Sequence, residues 1–444
     1  MVALKSSPRW VDTVPLNVAI DAQLLPGGKS GGVEQFVMGL VHALGRLDDG
    51  SEEYIIICPW QEPDWLKPYL GPNQRIVSGP KRQASRLEST KRLLGPLRSP
   101  AGRLWRGIRR LVLGPPPLSS PKAPESDGFY ERLGADVVHF PTNQRFVRCS
   151  VPMIYNPHDL QHLHYPQFFE QEQIAWRETF YRAGCRYAQA IAAESGWVKD
   201  DIVRQYNIIP NKVYVIPRGS PTELYERITD KVLAEVRDGL RLPQIFALYP
   251  AQTWPHKNHI RLLEAVAWLR DRDGLMVNLT CTGRQNDFWP TIKKRINELR
   301  LGNQVRFLGF VRPIELRALY HLAQFVVFPS LFEGGGFPVL EAFHEGAPVA
   351  CSDVTSLPEY GGDAALLFDP TSTESIAEAM YRMSTERELR ATLRQRGSAR
   401  IGLFTWEQTA KTYRALYRQV AGRLLSDEDH HLLAGDTAPG AVGP

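Results

Sequence analysis

Phe328-Pro-Ser-Leu-Phe-Glu-Gly-Gly-Gly-Phe-Pro-Val-Leu-Glu341 sets two glutamates, Glu333 and Glu341, eight positions apart on either side of three glycines and a proline. The run Phe325-Val-Val-Phe328 before it has the length and composition of a buried strand. From Pro338 to Glu345 the residues read as a helix, with Pro338 suited to its first turn and Gly346 to its C-terminal cap. Strand, glycine loop and helix together make one βα unit. Glycine lets a backbone approach a ligand closely, and the free N–H groups of a helix start favour an anionic phosphate. The helix dipole alone adds ~0.3–2 kcal/mol to such a contact. The flanking carboxylates suit sugar hydroxyls. A plain turn into a capped surface helix explains the same residues, so the stretch alone leaves both readings open.

Outward from it the pattern repeats. In the second half, Ile245–Tyr249, Val277–Cys281, Val305–Leu308 and Pro348–Cys351 read as strands, and His259–Arg270 reads as a helix between them. The first half opens on the strand Asn17–Asp21, then Gly27, Gly28, Gly31 and Gly32, then a helix with Val33, Phe36, Val37, Leu40 and Leu44 on one face. Tyr54–Cys58, Asp136–His139, Pro152–Tyr155, Ala190–Ala193 and Val213–Ile216 continue the strands. Alternating β and α in both halves predicts an α/β protein of two doubly wound parallel sheets. The expected boundaries are 1–225 for an N-terminal Rossmann-like domain and 226–404 for a C-terminal one. An amphipathic helix follows at 405–425, crossing back to the first domain, and 426–444, acidic and rich in Gly, Ala and Pro, is expected to be disordered.

Composition narrows the class. Of 444 residues 43% are hydrophobic and 23% charged, an ordinary globular balance over a length suited to two domains. No apolar run reaches the roughly 18 residues of a membrane span, and the first residues lack the apolar core of a signal peptide. Five cysteines without CxxC spacing argue against a disulfide framework or a zinc site and fit a reducing compartment. The net charge of +5 is local: Lys81 to Pro115 carries ten Lys/Arg and one acid, leaving a net of −4 elsewhere. That concentration argues against a general affinity for nucleic acid.

Three motif-like runs fail on inspection. Gly28-Lys29-Ser30 resembles the end of a phosphate-binding P-loop, but the required first glycine falls on Gln23. Asp271-Arg-Asp273 ends a charged helix and Asp427-Glu-Asp429 lies in the tail, so neither acidic pair is read as a metal site.

The glycine stretch resembles the E-x7-E signature of retaining glycosyltransferases of family 4, the family of sucrose synthases and bacterial mannosyltransferases. Further segments match in the family's order: Gly31-Gly-Val-Glu34, His158-Asp159, Pro250-Ala-Gln-Thr-Trp-Pro-His-Lys-Asn-His259, Val305–Val311, Leu357–Pro370 and Phe404-Thr-Trp-Glu407. The resemblance implies the GT-B architecture, two Rossmann-like domains facing a central cleft. It assigns Glu333 to the donor sugar, Glu341 to the ribose, and Gly335, Gly336, Phe337 and Pro338 to the diphosphate and sugar. Lys257 falls on the family's diphosphate-neutralising residue, His158 on its active-site histidine, and Gly31 and Gly32 on the loop over the phosphates. Phe310 joins the donor side. Alone, a lysine or a histidine at such positions is more often a solvated or structural residue, and His139 is assigned that structural role. The sequence departs from the family at Gln252, where many members carry an arginine; Arg218 or Arg284 is the candidate replacement.

The implied chemistry is retaining transfer of a hexose from a nucleoside-diphosphate sugar to a hydroxyl of a glycan or lipid-linked acceptor, without metal or other cofactor. The Trp-Pro-His-Lys-Asn-His form favours GDP-mannose, with UDP-sugars open. Arginines interleaved with Leu, Ile and Trp across 81–115 suit an anionic membrane surface, or a solvated insertion. The expected location is cytoplasmic, possible also at the inner face of the cell membrane. A non-catalytic scaffold of the same fold is the alternative, and a P-loop NTPase a more distant one.

Overall fold

Short apolar runs, most of them ended by Gly, Pro or a polar residue, form the strands. The computed structural model describes residues 14–27, 31–81, 123–220 and 228–435. The basic segment beyond Lys81, the Gly28-Lys29-Ser30 run and residues 436–444 lie outside the described residues.

The first sheet contains β1 (Leu16–Asp21), β2 (Glu52–Cys58), β3 (Gln74–Ser78), β4 (Val137–Phe140), β5 (Met153–Tyr155), β6 (Ala190–Ala193) and β7 (Val213–Val215). Their order is β3-β2-β1-β4-β5-β6-β7, and every pairing is parallel. The second sheet contains β8 (Ala247–Pro250), β9 (Leu279–Thr282), β10 (Val305–Phe307), β11 (Phe325–Phe328), β12 (Val349–Ser352) and β13 (Ala365–Phe368), in the parallel order β10-β9-β8-β11-β12-β13. Helices cover both faces, so strands such as β4, β6, β11 and β12 are buried at every position. In β2, Tyr54, Ile56 and Cys58 enter one apolar layer while Ile55 and Ile57 enter the opposite one, the period-two alternation of a doubly covered strand.

Strand order reverses between β1 and β4 in the first sheet and between β8 and β11 in the second. At such switch points the loops leaving adjacent strands diverge and open a crevice at the carboxyl ends. The loop after β8 carries Lys257 and the loop after β11 carries Glu333.

The chain then returns to the first sheet. Helix Trp406–Val420, capped by the Thr405 hydroxyl accepting from Gln408 N, lies on helix Gly32–Leu44. Trp406 packs flat against Gly39, where any Cβ would overlap the indole. Tyr417 Oη meets His139 Nδ1 at 2.8 Å, and Asn156 Nδ2 donates to Tyr413 Oη at 2.6 Å. Buried between these groups, His139 is a core residue, and desolvation pushes its pKa down to about 4.

The expected disordered tail is corrected in part: Asp427–Ala434 is a helix. Ser426 and Asp429 form a reciprocal capping box, Asp429 also receives Arg418 Nη1 at 3.0 Å, and Leu432 is buried. The acidic residues that suggested solvation cap a helix and pair with an arginine. Two strands absent from the sequence reading, β3 and β13, sit at sheet edges with half-exposed patterns.

Candidate active site

The site grows from the second sheet's switch point. After β8 the chain makes a turn at Pro255–Lys257, and Asn258, in the left-handed region at φ 60°, donates Nδ2 to the carbonyls of Pro329 (2.9 Å) and Pro370 (2.8 Å). That ties the Lys257 loop to the glycine loop. Lys257 Nζ then reaches Glu333 Oε1 at 2.5 Å, with both side chains more than four-fifths buried. The Glu333 backbone is held from a third loop: its N–H donates to Thr355 Oγ1 at 3.1 Å, and Ser356 Oγ donates to its carbonyl at 2.9 Å.

Helix Phe337–His344 starts beside this pair, with Pro338 in its first turn. One turn further, Glu341 accepts from Tyr320 Oη at 2.7 Å. Burial raises its pKa to about 7, despite the stabilising tyrosine hydrogen bond.

The first sheet supplies the opposite wall from the ends of three neighbouring strands. Beyond β5, His158 adopts φ 65°, a left-handed conformation uncommon for a residue with a Cβ, and is 4% exposed. Its Nε2 lies 2.9 Å from the Pro141 carbonyl and its Nδ1 contacts Glu194 Oε1 and, at 3.4 Å, Arg218 Nη2. Burial first, and the Arg218 cation second, push the imidazole pKa down to about 3. Glu194 follows β6 and Arg218 follows β7; the two form a buried ion pair. The Arg218 guanidinium lies 4.2 Å from the Phe337 ring centroid and 5.3 Å from that of Phe36, bridging an aromatic ring from each half.

Gly334 and Gly335 are where the walls touch, and Gly336 packs within the second half. A Cβ on Gly334 would stand 2.6 Å from the backbone oxygen of His158, which no rotamer change relieves. One on Gly335 would strike Glu194 Oε2, and one on Gly336 the Tyr360 ring. Gly32 faces Phe337 and Gly31 faces the Gln252 amide, with 3.3 and 3.8 Å from the Cβ position to the nearest atom. A carboxylate joins the halves nearby: Glu359 accepts from the N–H groups of Gly196 (2.8 Å) and Trp197 (2.6 Å), at the start of helix Gly196–Tyr206. Next to it, Tyr360 Oη donates to the Glu194 carbonyl at 3.0 Å.

The residues singled out from sequence thus fall into two groups. Lys257, Glu333, Gly335, Gly336, Phe337, Pro338 and Glu341 line the second half's side, with His158, Arg218 and Gly32 opposite. Phe310 stands apart, 66% exposed, with Arg284 5.9 Å from its ring. Arg284 is exposed and its Nη2 reaches the Gly27 carbonyl at 3.4 Å. Arg218, a candidate for the missing diphosphate cation, has its charge matched by Glu194. Glu194, Glu359 and Tyr360 were not singled out as site residues. Glu194 had one available signal, its place at the carboxyl end of a predicted strand. The decoy acids are accounted for by neighbours: Asp271 pairs with Arg270 and Asp273 with Arg272.

Known proteins place this arrangement. The family described as Glycosyltransferase Family 4 matches residues 30–224, and Glycosyl transferases group 1 matches 235–400. O-antigen chain mannosyltransferase B of Escherichia coli is 28% identical over 267 residues, 58% of this chain and 69% of that protein. Among solved structures, sucrose-phosphate synthase from Thermosynechococcus elongatus superposes with a TM-score of 0.64 at 20% identity, covering 92% of this chain and 99% of that one. HepE of Anabaena, in complex with UDP and glucose, superposes with a TM-score of 0.63 at 17% identity, covering 91% and 100%. The two sheets are the two halves of a GT-B fold, and the chain belongs to the group 1 glycosyltransferases with a family 4 N-terminal half.

Proposed function

We propose that the protein transfers a hexosyl group, mannose in the first instance, from a nucleoside-diphosphate sugar to a hydroxyl of a glycan or lipid-linked acceptor. The observation that carries this reading is the Lys257–Glu333 pair at the start of helix Phe337–His344, with the His158 loop packed on the glycines between them. It supplies a cation and a helix N-terminus for a diphosphate, and a carboxylate for sugar hydroxyls and developing positive charge, in one desolvated place. The relation to an O-antigen mannosyltransferase supports mannose as the sugar.

On this reading Lys257 leaves Glu333 for the diphosphate, Glu341 accepts from the ribose hydroxyls, and Gly31 and Gly32 close over the phosphates. Gln252 adds a neutral hydrogen bond where a cation is common. The bond between the anomeric carbon and the diphosphate oxygen breaks first, its electron pair leaving with the diphosphate. The acceptor oxygen then bonds to that carbon on the same face, and its proton passes to the departing phosphate oxygen. Configuration is retained, with Lys257 and the helix N–H groups offsetting the charge that a metal carries in other transferases. Apposition of the two walls excludes water that would otherwise hydrolyse the donor. The basic segment 81–115 is assigned to an anionic membrane surface on its sequence alone.

A thermal-shift screen of GDP, UDP, ADP and their sugars tests the donor. A ligand at 100 times its Kd stabilises the folded state by about 2.7 kcal/mol, and GDP-mannose is expected to give the largest rise. Proton NMR of the product then reads the anomeric configuration. No shift with any nucleotide sugar, or an inverted product, contradicts the reading.

A further inference from the structure

Glu194 and Arg218 present one orphaned group each. Glu194 is 2% exposed and Arg218 6%. Within their ion pair Glu194 uses Oε1, which also meets His158 Nδ1. Glu194 Oε2 and Arg218 Nε are both buried without a hydrogen-bond partner among the described residues. Native interiors leave few such groups unmatched, and these two have opposite polarity: one accepts, the other donates.

Both face the same point. The Cβ position of Gly335 collides with Glu194 Oε2 and lies 3.3 Å from Arg218 Nε. Gly335 belongs to the loop that carries Glu333, so the orphaned pair lies beside the proposed sugar position, covered by the glycine backbone. A hydroxyl is the group that satisfies both atoms together, donating its proton to Oε2 while its oxygen accepts from Nε–H. A phosphate lacks the proton for Oε2, and an ammonium lacks the acceptor for Nε.

We infer that Glu194 and Arg218 form a subsite for one hydroxyl of the transferred sugar, and so select the donor by its sugar rather than by its nucleotide. The inference rests on the function proposed above and names two sugar-reading residues besides Glu333. Arg218 is thereby assigned to the sugar and not to the diphosphate. The Tyr360 hydrogen bond to the Glu194 backbone carbonyl anchors this strand end from the second half, and Gly335 of that half covers the two orphaned atoms.

The test is calorimetric titration of the full chain with GDP, GDP-mannose and the 2-, 3-, 4- and 6-deoxy forms of GDP-mannose, with the UDP-glucose set run in parallel. The wild type is expected to bind one deoxy form at least about tenfold more weakly than its parent. Glu194→Ala is expected to bind that form and the parent alike, with affinity for the bare nucleotide within about twofold of wild type. Should Glu194→Ala fail to fold around an unpaired arginine, the double variant Glu194→Ala/Arg218→Met removes both charges and carries the same expectation. Equal binding of all deoxy forms by the wild type overturns the subsite, since a water then serves the two orphans. A deoxy penalty that persists undiminished in the variant also overturns it, because another residue reads that hydroxyl. Failure of the wild type to bind any nucleotide sugar sinks the proposed function with it, an outcome distinct from both.

Discussion

The two walls of the cleft are built differently. On the second half's side, Glu333, the glycines and Glu341 come from nine consecutive residues after β11, and Lys257 from the loop after the adjacent strand β8. On the first half's side, His158, Glu194 and Arg218 come from the ends of β5, β6 and β7, spread over 60 residues of sequence. One wall is a local motif at a switch point; the other is an assembly that exists only once three strands are in register. Local chemistry can be read from spacing, whereas assembled chemistry requires knowing which strand ends are neighbours.

Breaking the local wall is expected to cost most. Glu333→Gln keeps shape and removes the negative charge facing the anomeric carbon, and the transfer rate should fall about 10²–10³-fold, measured as kcat with GDP-mannose. His158→Ala breaks the assembled wall and is expected to lower kcat about 10²-fold, with affinity for GDP unchanged. Equal loss of GDP affinity in both variants would erase the distinction between the walls.

A pH titration sharpens the comparison, because only the local wall carries a group that titrates near neutrality. With its pKa raised to about 7, Glu341 becomes a full carboxylate acceptor for the ribose only above neutrality. GDP affinity should therefore rise by up to about tenfold between pH 6 and pH 8, and Glu341→Gln should flatten that profile. The ligand-free protein behaves inversely. A carboxyl whose folded pKa lies above its unfolded value favours folding at low pH, and that advantage is lost as pH rises from the unfolded value through about 7. The His158 pKa, pushed down to about 3, lies outside that window.

Smaller effects are expected at the join. Glu359→Gln weakens two N–H contacts at the start of helix Gly196–Tyr206, and a change of about 1 kcal/mol, typical of a lost cap, should lower the melting temperature by a few degrees in differential scanning calorimetry. Deleting 81–115 should leave nucleotide affinity intact and abolish sedimentation with anionic vesicles. Unchanged sedimentation would remove the membrane from the account.

How far the sequence could be read follows the same division. Central strands such as Phe325–Phe328 and Ala190–Ala193 are apolar throughout because both faces are covered, and they were legible. Edge strands β3 and β13 were not, since Arg75, Ser78 and Leu367 are exposed and blur the period. The helix at Asp427–Ala434 was hidden because its acids look like a solvated tail until Ser426 and Arg418 are placed beside them. Glu194 was overlooked because a glutamate before a serine, Ala193-Glu-Ser195, reads as the start of a helix. Its partners lie 24 and 36 residues away and become neighbours only in the sheet. Lys257, 76 residues before Glu333, was legible only through the family resemblance.

The central claim is that one desolvated site reads sugar and diphosphate separately. Calorimetric titration of wild type and Glu333→Gln with GDP and GDP-mannose tests it most directly. The account predicts that GDP binds both proteins alike while GDP-mannose loses at least about tenfold in the variant. Equal binding of GDP-mannose to the two proteins, or no binding of either ligand to the wild type, would contradict it.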